Sequence, residues 1–156
     1  MVVLVLLGSA FVLAMVALVV AVVCGQLLIR GQRRLLEALR RNGIAFACAP
    51  TLGMQIMAGF VLAVDRDTVS LWKVTPRRSV RLQAFLRYGV KIAPSRVKVN
   101  VLRTAPALSL VSVAGERIDV VIYSDPGAIS APVKGIALQL VSDKIRESVA
   151  APPILG

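Results

Sequence analysis

The start of the chain constrains it most, because residues 1–29 carry no charged side chain before Arg30. Only Gly8 and Ser9 interrupt the apolar run over residues 2–23. A helix rises 1.5 Å per residue, so this run spans about 33 Å, and the hydrocarbon core of a bilayer is about 30 Å thick. We therefore predict one transmembrane helix over residues 1–29.

The charges around this run predict its orientation. Arg30, Arg33 and Arg34 follow it directly, and an excess of Lys and Arg marks the cytoplasmic flank of a span. A cleaved signal peptide instead has a basic start and a shorter apolar core. We expect an uncleaved signal anchor in the cell (inner) membrane, crossing once, with the N-terminus outside and the C-terminal domain in the cytoplasm.

Small side chains recur along one face of the predicted span. Ala10, Ala14, Ala17 and Ala21 are spaced by four, three and four residues. Such a face lets two helices approach closely in lipid, so it predicts a packing seam for another membrane protein or for a second copy. The alternative is that alanine is common in such segments. Cys24 and the later Cys48 are interpreted as small apolar residues.

Residues 30–53 are predicted to form a basic juxtamembrane helix and a linker. Leucines recur at helical intervals among the arginines up to Arg41, which suits either a helix lying along anionic headgroups or charges that only fix the topology. Asn42 and Gly43 predict a helix end with a left-handed cap. Residues 44–53 are interpreted as an apolar linker or a first edge strand.

A mainly-β domain is predicted over residues 54–149, because the apolar period changes to two. Turn residues divide it into seven strands, at about residues 55–64, 69–74, 80–87, 90–92, 97–102, 108–113 and 117–123. Pro94 is expected to end the fourth. A helix then begins at Pro132 and runs to about Val149, and residues 150–156 form a tail.

Short, regularly spaced strands favour an antiparallel barrel or sandwich, since closure removes exposed edges. Seven strands capped by one C-terminal helix also resemble, in element order alone, the pleckstrin-homology-like and GRAM-like domains. That resemblance covers residues 54–149, about three fifths of the chain. It implies binding of lipid headgroups or protein partners rather than catalysis.

Positive charge predicts what the domain binds. The chain has a net charge of +11, and residues 68–115 hold nine basic residues and no acidic one. An anionic headgroup or an acidic partner could meet this charge, although a merely solvated face is the alternative. Nucleic acid is disfavoured, because only 4% of residues are aromatic. The candidate binding residues are Arg30, Arg33, Arg34, Arg40, Arg41, Arg77, Arg78 and Arg81.

The sequence offers little for catalysis. It has no histidine, two separated cysteines and no glycine-rich phosphate-binding motif, so we expect no cofactor, metal or catalytic site. The leading hypothesis is a non-catalytic adaptor or accessory subunit of a larger membrane complex, which the alanine face would contact. A free-standing sensor of anionic lipid is the alternative, and a small membrane enzyme is a third.

Overall fold

The computed structural model describes residues 2–50, 59–100, 103–126 and 131–150. They form a long N-terminal helix, a seven-stranded antiparallel sheet and a C-terminal helix, which confirms the predicted class. The elements are α1 (Val2–Arg40), β1 (Ile44–Pro50), β2 (Phe60–Val64), β3 (Thr68–Val74), β4 (Ser79–Leu86), β5 (Lys91–Asn100), β6 (Arg103–Val111), β7 (Arg117–Tyr123) and α2 (Gly135–Ala150).

Helix α1 continues without a break from the apolar run into the basic segment, through Gly31. The part from Phe11 to Arg40 is long and apolar enough to cross a membrane. Its most apolar 18-residue window has a mean hydropathy of 2.8, and none of that window is buried. A signal sequence near the N-terminus passes the same test of length and hydropathy.

The segment predicted as a linker or edge strand is the central strand of the sheet. β1 pairs with β2 on one side and with β7 on the other, in the order β4-β3-β2-β1-β7-β6-β5. Ala47 and Cys48 are both buried, because both faces of a central strand are covered here. The sheet therefore starts at Ile44, and the predicted domain start at residue 54 lies outside the described residues.

Pro94 does not end a strand, as the sequence suggested. Lys91–Asn100 forms one strand, with Pro94 opposite Leu108, so the predicted fourth and fifth strands are one. β5 is an edge strand, and proline is tolerated there because its missing N–H need not break a hydrogen bond to a neighbouring strand. The predicted total of seven strands still holds, because β1 replaces the strand lost by this fusion.

The predicted closure of the strands is wrong, because the described strands form one open sheet. β4 and β5 are its two edges, yet only residues 87–90 connect them. A link this short requires the sheet to coil strongly, as the accumulated twist of seven strands allows. Helix α2 contacts both β2 and β5. The core is therefore enclosed by this helix and not by hydrogen bonds between the edge strands β4 and β5.

The main core lies between α2 and what we call the inner face of the sheet. Ile145 is fully buried there with Leu62, Leu71 and Leu108. α2 begins at Gly135, three residues after the predicted start, because Pro132 instead bridges to Tyr123 at the end of β7. The opposite, outer face of the sheet is covered by α1, and that contact positions the candidate site.

Candidate membrane-surface site

The end of α1 packs along the outer face of the sheet. Leu36 is only 3% exposed there, and the Gln32 side-chain amide donates a 2.8 Å hydrogen bond to the Phe60 carbonyl oxygen. A Cβ at Gly31 would lie 3.0 Å from Val74 Cγ1. The sheet is therefore held against α1 immediately after Arg30, with only that one residue between the uncharged segment of residues 1–29 and the first contact.

This contact defines two ends of the domain. At the near end, Gly31 and Gln32 meet the start of β2 and the end of β3. At the far end, Gly43 lies against the backbone of Val64 and Asp65, where β2 ends. β3 runs between the ends, and its seven residues span about 20 Å.

The turn between β3 and β4 lies at the near end, because it follows Val74 directly. Thr75 holds this turn: its N–H donates to the Arg78 carbonyl at 2.9 Å, and its hydroxyl donates to the same oxygen at 2.7 Å. Arg77 and Arg78 are exposed on it. Since the holding bonds come from Thr75 and the backbone, both arginine side chains are available to bind.

Two groups of arginines that are distant in sequence thus lie at one end of the domain. We call them the basic collar, and all its members are exposed: Arg30, Arg33, Arg34, Arg77 and Arg78. The sequence predicted each group separately. Their juxtaposition follows from the packing of Gly31 against Val74, which no spacing in the sequence indicated.

The other predicted arginines lie outside the collar. The Arg40 Nε donates to the Ala45 carbonyl at 3.2 Å, and Arg41 follows it in the turn at the far end. The Arg81 guanidinium carbon lies 6.0 Å from the centre of the Trp72 ring. A β-bulge leaves Leu82 unpaired in β4, which turns Arg81 toward Trp72 instead of the inner face.

The far end carries acidic side chains. Asp65 and Asp67 lie in the turn between β2 and β3, beside Gly43. Burial raises the pKa of the Asp65 carboxyl, Arg81 opposes that shift, and the charge of Asp67 adds to it. Asp65 Oδ1 is buried without a hydrogen-bond partner. The far end also carries Arg41 and Arg66, whereas the near end carries five arginines, so the excess of positive charge lies toward the apolar part of α1.

The predicted alanine seam lies along α1. Ala14, Ala17 and Ala21 are exposed, and Ala10 belongs to the same helix. The sheet contacts α1 only beyond these residues, so the alanine face stays open over its described part. Its role in helix packing remains a prediction.

No arrangement for a particular reaction stands out in the described part of the chain. No group of three or more Cys, Asp or Glu there could hold a metal ion. Cys48 is buried, and burial raises its thiol pKa far above the usual range, which suppresses the reactive thiolate. Asp143 pairs with Arg146 at 3.3 Å on the surface of α2, which leaves this carboxylate in an ordinary surface ion pair.

Two clefts were not foreseen from the sequence. One, of about 150 Å³, lies between α1 and the segment after β7, and its charged side chains are those of Arg33, Glu37, Arg40 and Asp125. The other, of about 360 Å³, lies between α2 and strands β5 and β6. Its lining is Pro94, Leu108, Gly135, Leu138, Gln139, Ser142 and Arg146. Neither brings together a nucleophile and a base.

Comparison of the chain with protein-family models, curated proteins and solved structures gives no match. The likeness to pleckstrin-homology-like domains therefore stays a prediction that rests on element order.

Proposed function

We propose that this chain is a single-pass membrane protein that acts as a non-catalytic adaptor or accessory subunit of a larger membrane complex. Its sheet lies at the cytoplasmic surface of the cell membrane. The observation that carries the proposal is the unbroken helix α1, whose apolar part continues directly into the part that packs on the sheet.

The packing of α1 on the sheet supports an uncleaved anchor. Residues beyond the apolar run belong to the packed structure: Leu36 is buried against the sheet, and Gln32 satisfies a carbonyl of β2. An anchor built this way fixes the position of the domain relative to the bilayer, as a subunit at a membrane surface requires. The arginines after the apolar run favour the cytoplasmic side for the domain.

Exposed apolar side chains support a role in binding a protein partner. Ile136 and Leu140 project from the outer side of α2, with 79% and 65% of their surface exposed. Leu86, Tyr88 and Val113 are at least 76% exposed, and Gly89 lies against Val113. Exposed apolar groups that cluster in this way are typical of protein contact surfaces.

Two measurements test this proposal. Protease added to intact cells should leave the sheet undigested, and protease added to opened cells should digest it. Purification in mild detergent should yield an assembly much larger than the chain. Digestion in intact cells, or a mature chain that begins after the apolar run, would contradict the proposed anchor.

A free-standing sensor of anionic lipid is the second candidate, and the basic collar is the observation that favours it. Detergent purification separates the two candidates. A monomer that binds anionic vesicles in a salt-sensitive way supports the sensor, because salt screens exposed charges. A stable assembly with another membrane protein supports the subunit.

A further inference from the structure

We propose that the basic collar binds anionic phospholipid headgroups and holds the near end of the sheet against the membrane surface. This inference rests on the membrane placement proposed above; a sensor requires it, and a subunit is compatible with it. It assigns one ligand class to Arg30, Arg33, Arg34, Arg77 and Arg78.

The height of the collar matches the headgroup layer. The bilayer is about 40 to 45 Å thick including the headgroups and about 30 Å without them, which leaves about 5 to 8 Å on each side. The 20 uncharged residues 10–29 rise by about 30 Å and can fill the hydrocarbon core, and Arg30 to Arg34 rise by about a further 6 Å along the helix. The turn with Arg77 and Arg78 joins at the same level, because Gly31 contacts Val74 just before it. Both parts of the collar therefore fall within the layer of lipid phosphates.

The distribution of charge favours lipid over an acidic protein. The collar arginines come from both sides of the contact between α1 and the sheet, where the helix leaves the bilayer. Lipid phosphates surround the helix at that level without any further recognition. The carboxylates of Asp65 and Asp67 lie about 20 Å away at the far end, so they do not repel the headgroups.

The turn can lose its arginines without losing its shape. Arg78 contributes its backbone N–H, which donates to the Thr75 hydroxyl oxygen at 3.2 Å, and its backbone carbonyl. The double substitution Arg77→Gln and Arg78→Gln therefore removes two charges and keeps the turn. Arg77→Lys with Arg78→Lys keeps both charges and serves as the rescue variant.

Arg41 and Arg66 provide a matched control. Both are exposed, and both lie at the far end of the domain, after α1 and in the turn between β2 and β3. Substituting both with Gln changes the net charge by the same amount as the collar variant. Any effect that comes only from the total charge would then appear equally in the two double variants.

The experiment uses Trp72, the single tryptophan, as an energy donor in the full-length chain. The chain is reconstituted in nanodiscs that contain a trace of dansyl-labelled phosphatidylglycerol or dansyl-labelled phosphatidylcholine. Preferred binding of the anionic lipid raises energy transfer to the first label relative to the second. This preference should fall by about fivefold for each collar arginine neutralised, which corresponds to about 1 kcal/mol per charge near an anionic surface.

The Lys variant and the far-end control should keep the wild-type preference. Equal transfer to both lipids in the wild type, the result for a collar that serves an acidic protein, would overturn the inference. An equal loss in the collar and far-end variants would overturn it as well. A chain that fails to enter the nanodiscs, with transfer to neither label, would instead refute the proposed membrane placement.

Discussion

At the scale of single residues, the predicted helix end at Gly43 is correct, but glycine is needed there for a reason other than the predicted left-handed cap. The Asn42-Gly43 pair correctly predicted the end of α1, but the described glycines with a positive φ do not include Gly43. Glycine is needed here because the Val64 carbonyl and the Asp65 Cα lie where a Cβ would stand. That close approach depends on the fold, so the sequence alone could not reveal it.

Gly43→Ala should therefore destabilise the domain. The added methyl group meets backbone atoms that cannot rotate away, and overpacking of this kind costs about 1 to 3 kcal/mol. Chemical unfolding in detergent measures the loss. Gly25→Ala is the control, because nothing lies within 4 Å of a Cβ there and alanine suits a helix. Equal stability of the two variants would contradict the described approach of Gly43 to β2.

Asp65 predicts a dependence of stability on pH. Burial raises its carboxyl pKa in the folded chain, so folding favours the protonated form. The stability it contributes is present below the ordinary aspartate pKa of 3.8 and is lost as the pH rises through the raised value. Asp65→Asn should increase the unfolding free energy at neutral pH and have little effect at pH 3. Unfolding curves at the two pH values check this, and a variant less stable than wild type at neutral pH would contradict it.

At the scale of elements, sequence periodicity located most strands and the C-terminal helix but misjudged some of their faces. Ile136 and Leu140 recur at helical spacing with Val133 and Val141, which predicts that they lie on the buried side of α2. The structure instead buries Leu138, Ser142 and Ile145. The chain offers two apolar stripes on this helix, and packing against the sheet selects one of them. In β4 the bulge at Leu82 interrupts the alternation, which the sequence does not indicate.

The two isoleucines of α2 give a matched test of this face. Ile145 has no exposed surface and Ile136 is 79% exposed, although both belong to the same helix. Ile145→Ala should lower the unfolding free energy by about 2 to 5 kcal/mol, since it leaves a cavity in the core. Ile136→Ala should change it by less than about 0.5 kcal/mol. Chemical unfolding of both variants measures the difference, and the reverse order would mean that α2 packs through its other stripe.

At the scale of the whole molecule, the sequence predicted an apolar helix, a seven-stranded sheet and a capping helix, and the structure has all three. It did not predict how α1 and the sheet meet. The contact joins Gly31 to Val74, which are far apart in the chain, and it involves a glycine and a valine with no distinctive pattern around them. The basic collar is a product of that contact, so only its separate halves could be foreseen.

Rigid attachment of the sheet to α1 predicts how the whole molecule moves. Inserting Gly-Ser-Gly between Ile29 and Arg30 should leave the unfolding of the sheet unchanged, because the packed part of α1 remains after the insertion. In nanodiscs of neutral lipid, where no anionic headgroup binds the collar, the domain should then tumble independently of the apolar part of α1, and the fluorescence anisotropy decay of Trp72 would detect this. The same insertion in the exposed turn after Ala114 is the control, and it should leave the anisotropy decay as in wild type.

The continuity of α1 also means that the number of residues in its apolar part sets the direction, around the helix axis, in which the sheet faces. Each residue added before Arg30 rotates the sheet by about 100° around the helix axis. Seven added residues return the sheet to within about 20° of its original orientation. A partner protein that contacts both the alanine face and the sheet should therefore still bind after a seven-residue insertion far better than after a two-residue one.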